Sequence, residues 1–217
     1  MTALNTDLAN VVGDSILAPD DAKRRALVIK HWSKVAVHSL ELHNYDTVMA
    51  IMCTINSSVV MRLKRTWELV SRKSKARFSD VNAVIDHSRN YASLRKRLEH
   101  PMVPCMPFIG IYLSDLTFLD AGNPKTRELP GTASDKPVSV INFDKYHRMA
   151  KVVSFLQRFQ VPYKLRPVPE MQAWMTAHLQ RMRHSNEEMV TEFHRRLSLI
   201  HISEPTDRQK SRMPSSA

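Results

Sequence analysis

The chain has 217 residues, 43% of them hydrophobic and 24% charged, which suffices for one globular domain with a sizeable core. Only four glycines are present and neither GxxxxGK[ST] nor GxGxxG occurs, which argues against a turn-rich β sandwich and against nucleotide binding by the chain itself. A net charge of +11 and a pI near 9.9 favour acidic partners, whether nucleic acid, an anionic leaflet or an acidic protein face.

In chain order, Asp20 to His43 is the clearest helix. Pro19, Asp20 and Asp21 suit its start, where the helix dipole favours negative charge. Ala22, Ala26, Ile29, Trp32, Ala36 and Leu40 share one side, widened by Val28, Val35 and Leu42, while Lys23, Lys30, Lys34 and Glu41 take the other. Asn44 is placed to cap a second helix through Met49, Ile51, Met52 and Ile55. That helix has no wet face and is expected to sit centrally, ending at Asn56-Ser57-Ser58. Helical patterns follow at Thr66 to Val70, Val81 to His87 and Asn90 to Glu99.

Pro101, Pro104 and Pro107 mark an extended connection, followed by Phe108 to Leu119, apolar almost all round. Asn123 to Val140 reads as a loop, with at most a short strand near Val138 to Ile141. Asn142 is a candidate cap for Phe143 to Gln160, whose expected buried stripe is Tyr146, Met149, Val153 and Leu156, with Lys145, Arg148 and Lys151 pointing elsewhere. Glu170 to Arg183 and Glu187 to Leu197 complete an all-α pattern, and His201 to Ala217 is polar, aperiodic and expected to be disordered.

Cys53 and Cys105 lie far apart in apolar surroundings and read as reduced, buried thiols rather than a disulfide. His31, His38 and His43 lack a two-ligand spacing, so no metal is expected. The N-terminus is not built like a signal peptide and no apolar run approaches the ~18 residues of a membrane span, so the expectation is a soluble, cytoplasmic protein. The cations Arg62, Lys64, Arg65, Arg72, Lys73, Lys75 and Arg77 read first as a solvated face and second as a site for RNA or anionic lipid.

Four ordered stretches carry a resemblance. Leu42-His43-Asn44-Tyr45-Asp46, then Ile55-Asn56-Ser57-Ser58-Val59-Val60-Met61-Arg62-Leu63, is similar to the LNN[FY]N … NSSPVxRL signature of the catalytic domain of Ras guanine-nucleotide exchange factors (RasGEF). Asn90-Tyr91, followed by Pro104-Cys105-Met106-Pro107-Phe108-Ile109-Gly110-Ile111-Tyr112-Leu113, resembles its PC[IV]PFLGxYL core. Ser114-Asp115-Leu116-Thr117-Phe118 with Gly122-Asn123-Pro124 continues that core in a form closest to the fungal branch, and Ile141-Asn142-Phe143, Tyr146 and Arg148 resemble the INFxKxxK helix start.

The resemblance implies a single orthogonal helical domain over residues 1–196, lacking the family's first helices, from which a hairpin of Phe108 to Asp120 and Asn142 to Gln160 protrudes. Residues 197–217 are expected to be a disordered or artefactual tail, since Leu197 to Thr206 looks like a translated library adapter. The implied activity is GDP release from a Ras-family small GTPase, by binding and without covalent chemistry or a cofactor. No specific nucleic acid is implied, and membrane association only through the GTPase. By carry-over, Met49, Asn56, Ser58, Met61 and Tyr91 contact the GTPase in a groove. Thr117, Ala121 and Arg148 form the working face of the hairpin, and Phe108, Gly110, Tyr112 and Phe143 pack it. Many family members carry an acidic residue at the position of Ala121; Asp120 is adjacent but roughly 100° round the helix. The alternative is a scaffold that binds the GTPase without exchange, or an inactive fragment.

Overall fold

The structure is a computed structural model that describes residues 2–129, 138–184 and 195–196. Among these, the elements are α1 (Thr2–Leu17), α2 (Ala22–Glu41), α3 (Tyr45–Ile55), α4 (Ser58–Met61), α5 (Lys64–Leu69), α6 (Arg72–Ile85) and α7 (Ser88–Glu99). They continue with α8 (Ile109–Ala121), β1 (Thr126–Leu129), β2 (Val138–Ile141), α9 (Phe143–Gln157) and α10 (Pro169–His184). The chain is all-α apart from one small antiparallel ribbon in which Thr126 faces Ile141 and Leu129 faces Val138.

α3 forms the centre. The Asn44 carboxamide accepts from the Thr47 N–H at 3.0 Å, and Val48, Met49, Ala50, Ile51, Met52 and Ile55 are all buried. α1, α2 and α6 pack around it. Asp21 caps α2 by accepting from the Arg24 N–H, and the predicted apolar stripe of Ala26, Ile29, Trp32 and Ala36 is buried. Arg25, also fully buried, is held by the Pro19 and Asp20 carbonyls and by Thr66 Oγ1 at 3.1 Å, so its charge is shared with α5 and the α1–α2 connection.

Several expectations are corrected. α1, which no predicted element anticipates, packs on α3 and α10, with Asp7 taking Arg183 at 2.7 Å. The pattern at Val81 to His87 is helical only to Ile85, as the C-terminal end of a helix that begins at Arg72 and is capped by Ser71. Thr126–Leu129 and Val138–Ile141 are strands where a loop is expected over most of the segment. Cys105 is buried but Cys53 is exposed, because it lies on the side of α3 left open beside α4 and α6. The expected helix at Glu187 to Leu197, apart from residues 195–196, and the tail lie outside the described residues.

Candidate functional site

Met49, Cys53, Asn56, Ser79, Asn82 and Tyr91 line a groove of about 790 Å3 between α3, α6 and the start of α7. The structure thus brings together three of the five expected contact residues. Met49 is 4% exposed and serves the core as well as the groove wall. Asn56, at the C-terminal end of α3, donates to Asn82 Oδ1 at 2.8 Å and accepts from Asn82 Nδ2 at 3.5 Å. Each carboxamide keeps a second N–H and further lone-pair capacity for an external partner. Ser58 and Met61 open and close the one-turn α4; both are exposed, and neither lines the groove. Ser79, Asn82 and Asp86 are contributions that the motifs missed; their spacing of three and four along a helix was the available signal.

Tyr91 is half-buried, its ring 6.3 Å from that of Phe108. It closes a run of left-handed residues, Arg89, Asn90 and Tyr91, with φ of 50°, 56° and 59°, a conformation that side-chain-bearing residues adopt at a cost. Arg95 braces that run. Its Nε donates to the Asn90 carbonyl at 2.8 Å, while Nη1 and Nη2 grip the Asp115 carboxylate at 2.8 and 2.9 Å. Hydrogen bonding to Asp115 raises the Arg95 pKa above its ordinary value. The groove is therefore tied directly to α8.

α8 and α9 pack on one another as an antiparallel pair, and only their base reaches the core. There Tyr112 is buried with its ring 5.6 Å from Phe155, and burial pushes its phenol pKa up to about 12. A Cβ on Gly110 would stand 2.4 Å from Phe108 Cζ, so glycine lets that ring lie against the first turn of α8. Thr117 and Ala121, one turn apart on α8, are both exposed; Thr117 Oγ1 donates to the Leu113 carbonyl at 2.9 Å. Arg148 is exposed on α9 and pairs with Asp144 at 2.8 Å.

Two expectations for α9 are reversed. Phe143 is not packed in the hairpin seam: it is 76% exposed and stacks on His147. Tyr146 and Val153 are exposed, whereas Lys145, expected to point to solvent, is 1% exposed. Its ammonium reaches Asp120 Oδ1 at 2.8 Å and the carbonyls of Asp120 and Asn123 at 2.9 Å each. The hydrogen bond and charge of Lys145 hold the Asp120 carboxyl below the usual range.

The sequence profile of the RasGEF domain matches residues 1–147, which include the groove, all of α8 and the first turn of α9. The chain belongs to the RasGEF domain family. This RasGEF domain is 34% identical over 183 residues to cell division control protein 25 of Saccharomyces cerevisiae, covering 83% of the chain and 11% of that protein. It is 31% identical over 169 residues to Ras-specific guanine nucleotide-releasing factor 1 of Rattus norvegicus, covering 77% and 13%. It is 32% identical over 185 residues to Ras guanine nucleotide exchange factor efc25 of Schizosaccharomyces pombe, covering 85% and 18%. The chain thus spans less than a fifth of the length of each of these relatives.

Proposed function

We propose that this chain is a guanine-nucleotide exchange factor for a Ras-family small GTPase, and that α8 and α9 act as a lever beside the nucleotide site. One observation carries the reading. The two helices are braced at their base, through Tyr112, Phe155 and the Arg95–Asp115 pair, while Phe118, Phe143 and Tyr146 stay exposed beyond it. A lever needs that combination of a fixed root and an uncovered face.

In this reading Met49, Asn56 and Tyr91 hold one mobile loop of the GTPase in the groove, with Ser58 and Met61 on the adjoining surface. Thr117, Ala121 and Arg148 meet the loop that is displaced. The chemistry is linkage: whatever the chain gains by binding the empty GTPase is lost to nucleotide affinity, reciprocally. Steric displacement has to suffice at Ala121, because the neighbouring Asp120 carboxylate is engaged by Lys145. Membrane association would follow from the GTPase.

The test is release of fluorescent GDP from purified Ras-, Rap- and Ral-type GTPases on addition of the chain. Acceleration of one of them is expected, with loss of at least tenfold in Thr117→Glu. Tight binding without acceleration would replace exchange by a scaffolding role, and neither binding nor acceleration would end the proposal.

A further inference from the structure

Apolar packing between α8 and α9 gives out toward the tip. Near the base the Tyr112 ring lies tilted 5.6 Å from that of Phe155, which meets Phe159 edge-on at 5.4 Å. Towards the other end, Phe118 and Phe143 are each 76% exposed and Tyr146 is 43% exposed. Something else must fix the last turn of α8, which bears Thr117 and Ala121, against the first turn of α9.

That something is polar and buried. An ammonium has three donors, and Lys145 Nζ has three acceptors in reach: Asp120 Oδ1, the Asp120 carbonyl and the Asn123 carbonyl. One is a last-turn carbonyl of α8, where a helix leaves such groups without internal partners and its dipole favours a cation, and the other, that of Asn123, lies in the turn just past the helix. Asn142 completes the clamp. It is 2% exposed, its Nδ2 donates to the Pro124 carbonyl at 2.9 Å, its N–H donates to the Lys125 carbonyl at 2.9 Å, and its Oδ1 accepts the Lys145 N–H. One residue of α9 therefore serves as the C-terminal cap of α8.

We infer that Lys145 is a positioning residue for exchange: it holds the tip of the hairpin in one orientation without touching the partner. This inference rests on the exchange reading above. The Asp120 side chain is 59% exposed, so its ion pair with Lys145 is screened by water and worth little. The two carbonyls, by contrast, lose a buried donor when Lys145 is removed. The ranking that follows is specific: Lys145→Met should be far more harmful than Asp120→Ala.

The experiment measures GDP release at increasing concentrations of the 217-residue chain, separating the maximal rate from the half-saturating concentration. Lys145→Met is expected to lower the maximal rate at least tenfold while raising the half-saturating concentration less than threefold, because the groove is untouched. Asp120→Ala is expected to stay within threefold of the unsubstituted chain. An unsubstituted chain that accelerates no GTPase refutes the exchange reading. An active chain whose Lys145→Met variant is folded by circular dichroism and equally fast refutes this inference alone. Should that variant not fold, native-state hydrogen exchange of the unsubstituted chain decides: protection of the Gly122 N–H, bonded to the Phe118 carbonyl at 2.9 Å, supports a clamped last turn. Exchange at the unprotected rate overturns it.

Discussion

Among the described residues, the Arg95–Asp115 pair is the one link in which a groove element and a hairpin element share charged hydrogen bonds, so breaking it tests the site as a unit. The side chains are 27% and 26% exposed, leaving the pair only moderately screened. Two unit charges about 4 Å apart at an effective dielectric of ~20 attract by about 4 kcal/mol. Desolvation and immobilisation offset much of that, while a charge-assisted hydrogen bond contributes roughly 1.5–3 kcal/mol net. Asp115→Ala should therefore cost about 2 kcal/mol of unfolding free energy. Arg95→Ala should cost slightly more, since it also releases the Asn90 carbonyl. The assay is a double-mutant cycle by urea denaturation, with an expected coupling of about 1–2 kcal/mol. The same variants should slow maximal GDP release, because the hairpin loses its brace to the groove. A coupling below about 0.3 kcal/mol would refute the reasoning, as expected of an exposed, solvent-screened pair.

Other consequences are directly measurable. Burial raises the thiol pKa of Cys53 and pushes that of Cys105 up to about 11, but a charged maleimide should reach exposed Cys53 in the native chain and Cys105 only on unfolding; equal rates at both would contradict the placement of α3. Because Cys53 lines the groove, the adduct should also weaken GTPase binding in a pull-down. Ile51→Ala, at a fully buried position of α3, should destabilise by about 3 kcal/mol in denaturant titrations. For Tyr112, the folded pKa of about 12 stands above the ordinary phenol value of 10.0, so its contribution to stability is complete below pH 10 and lost as pH rises through 12. Tyr112→Phe should flatten that alkaline loss; an unchanged pH profile would show that the phenol is not buried.

The elements that sequence patterning predicts well are those whose neighbours are all of one kind. α2 has a dry stripe and a wet one, and α3 is apolar almost throughout and buried except on the side that bears Cys53, so periodicity alone places them at and beside the centre. α9 defeats the same reasoning because a hairpin that leaves the core has little to bury. Tyr146 and Val153 keep the spacing of a core stripe yet face outward, and Phe143 is exposed for the same reason. Lys145, whose position the INFxKxxK resemblance marks, defeats periodicity in a different way. Its partners are two backbone carbonyls and one carboxylate more than twenty residues earlier, and carbonyl groups leave no trace in a sequence. In the groove, the ordered motifs pointed to Met49, Asn56 and Tyr91, whereas Ser79, Asn82 and Asp86 sit on a helix whose polar face looks like any solvated one.

The central claim is that the chain acts by preferring one state of its GTPase. The most direct measurement is its affinity for the same GTPase stripped of nucleotide and loaded with GDP, by titration calorimetry or interferometry. The empty form should bind at least 100-fold more tightly, corresponding to about 2.7 kcal/mol of coupling that GDP must pay back to rebind. Equal affinities would contradict the account, since a partner that does not distinguish two states cannot shift the balance between them.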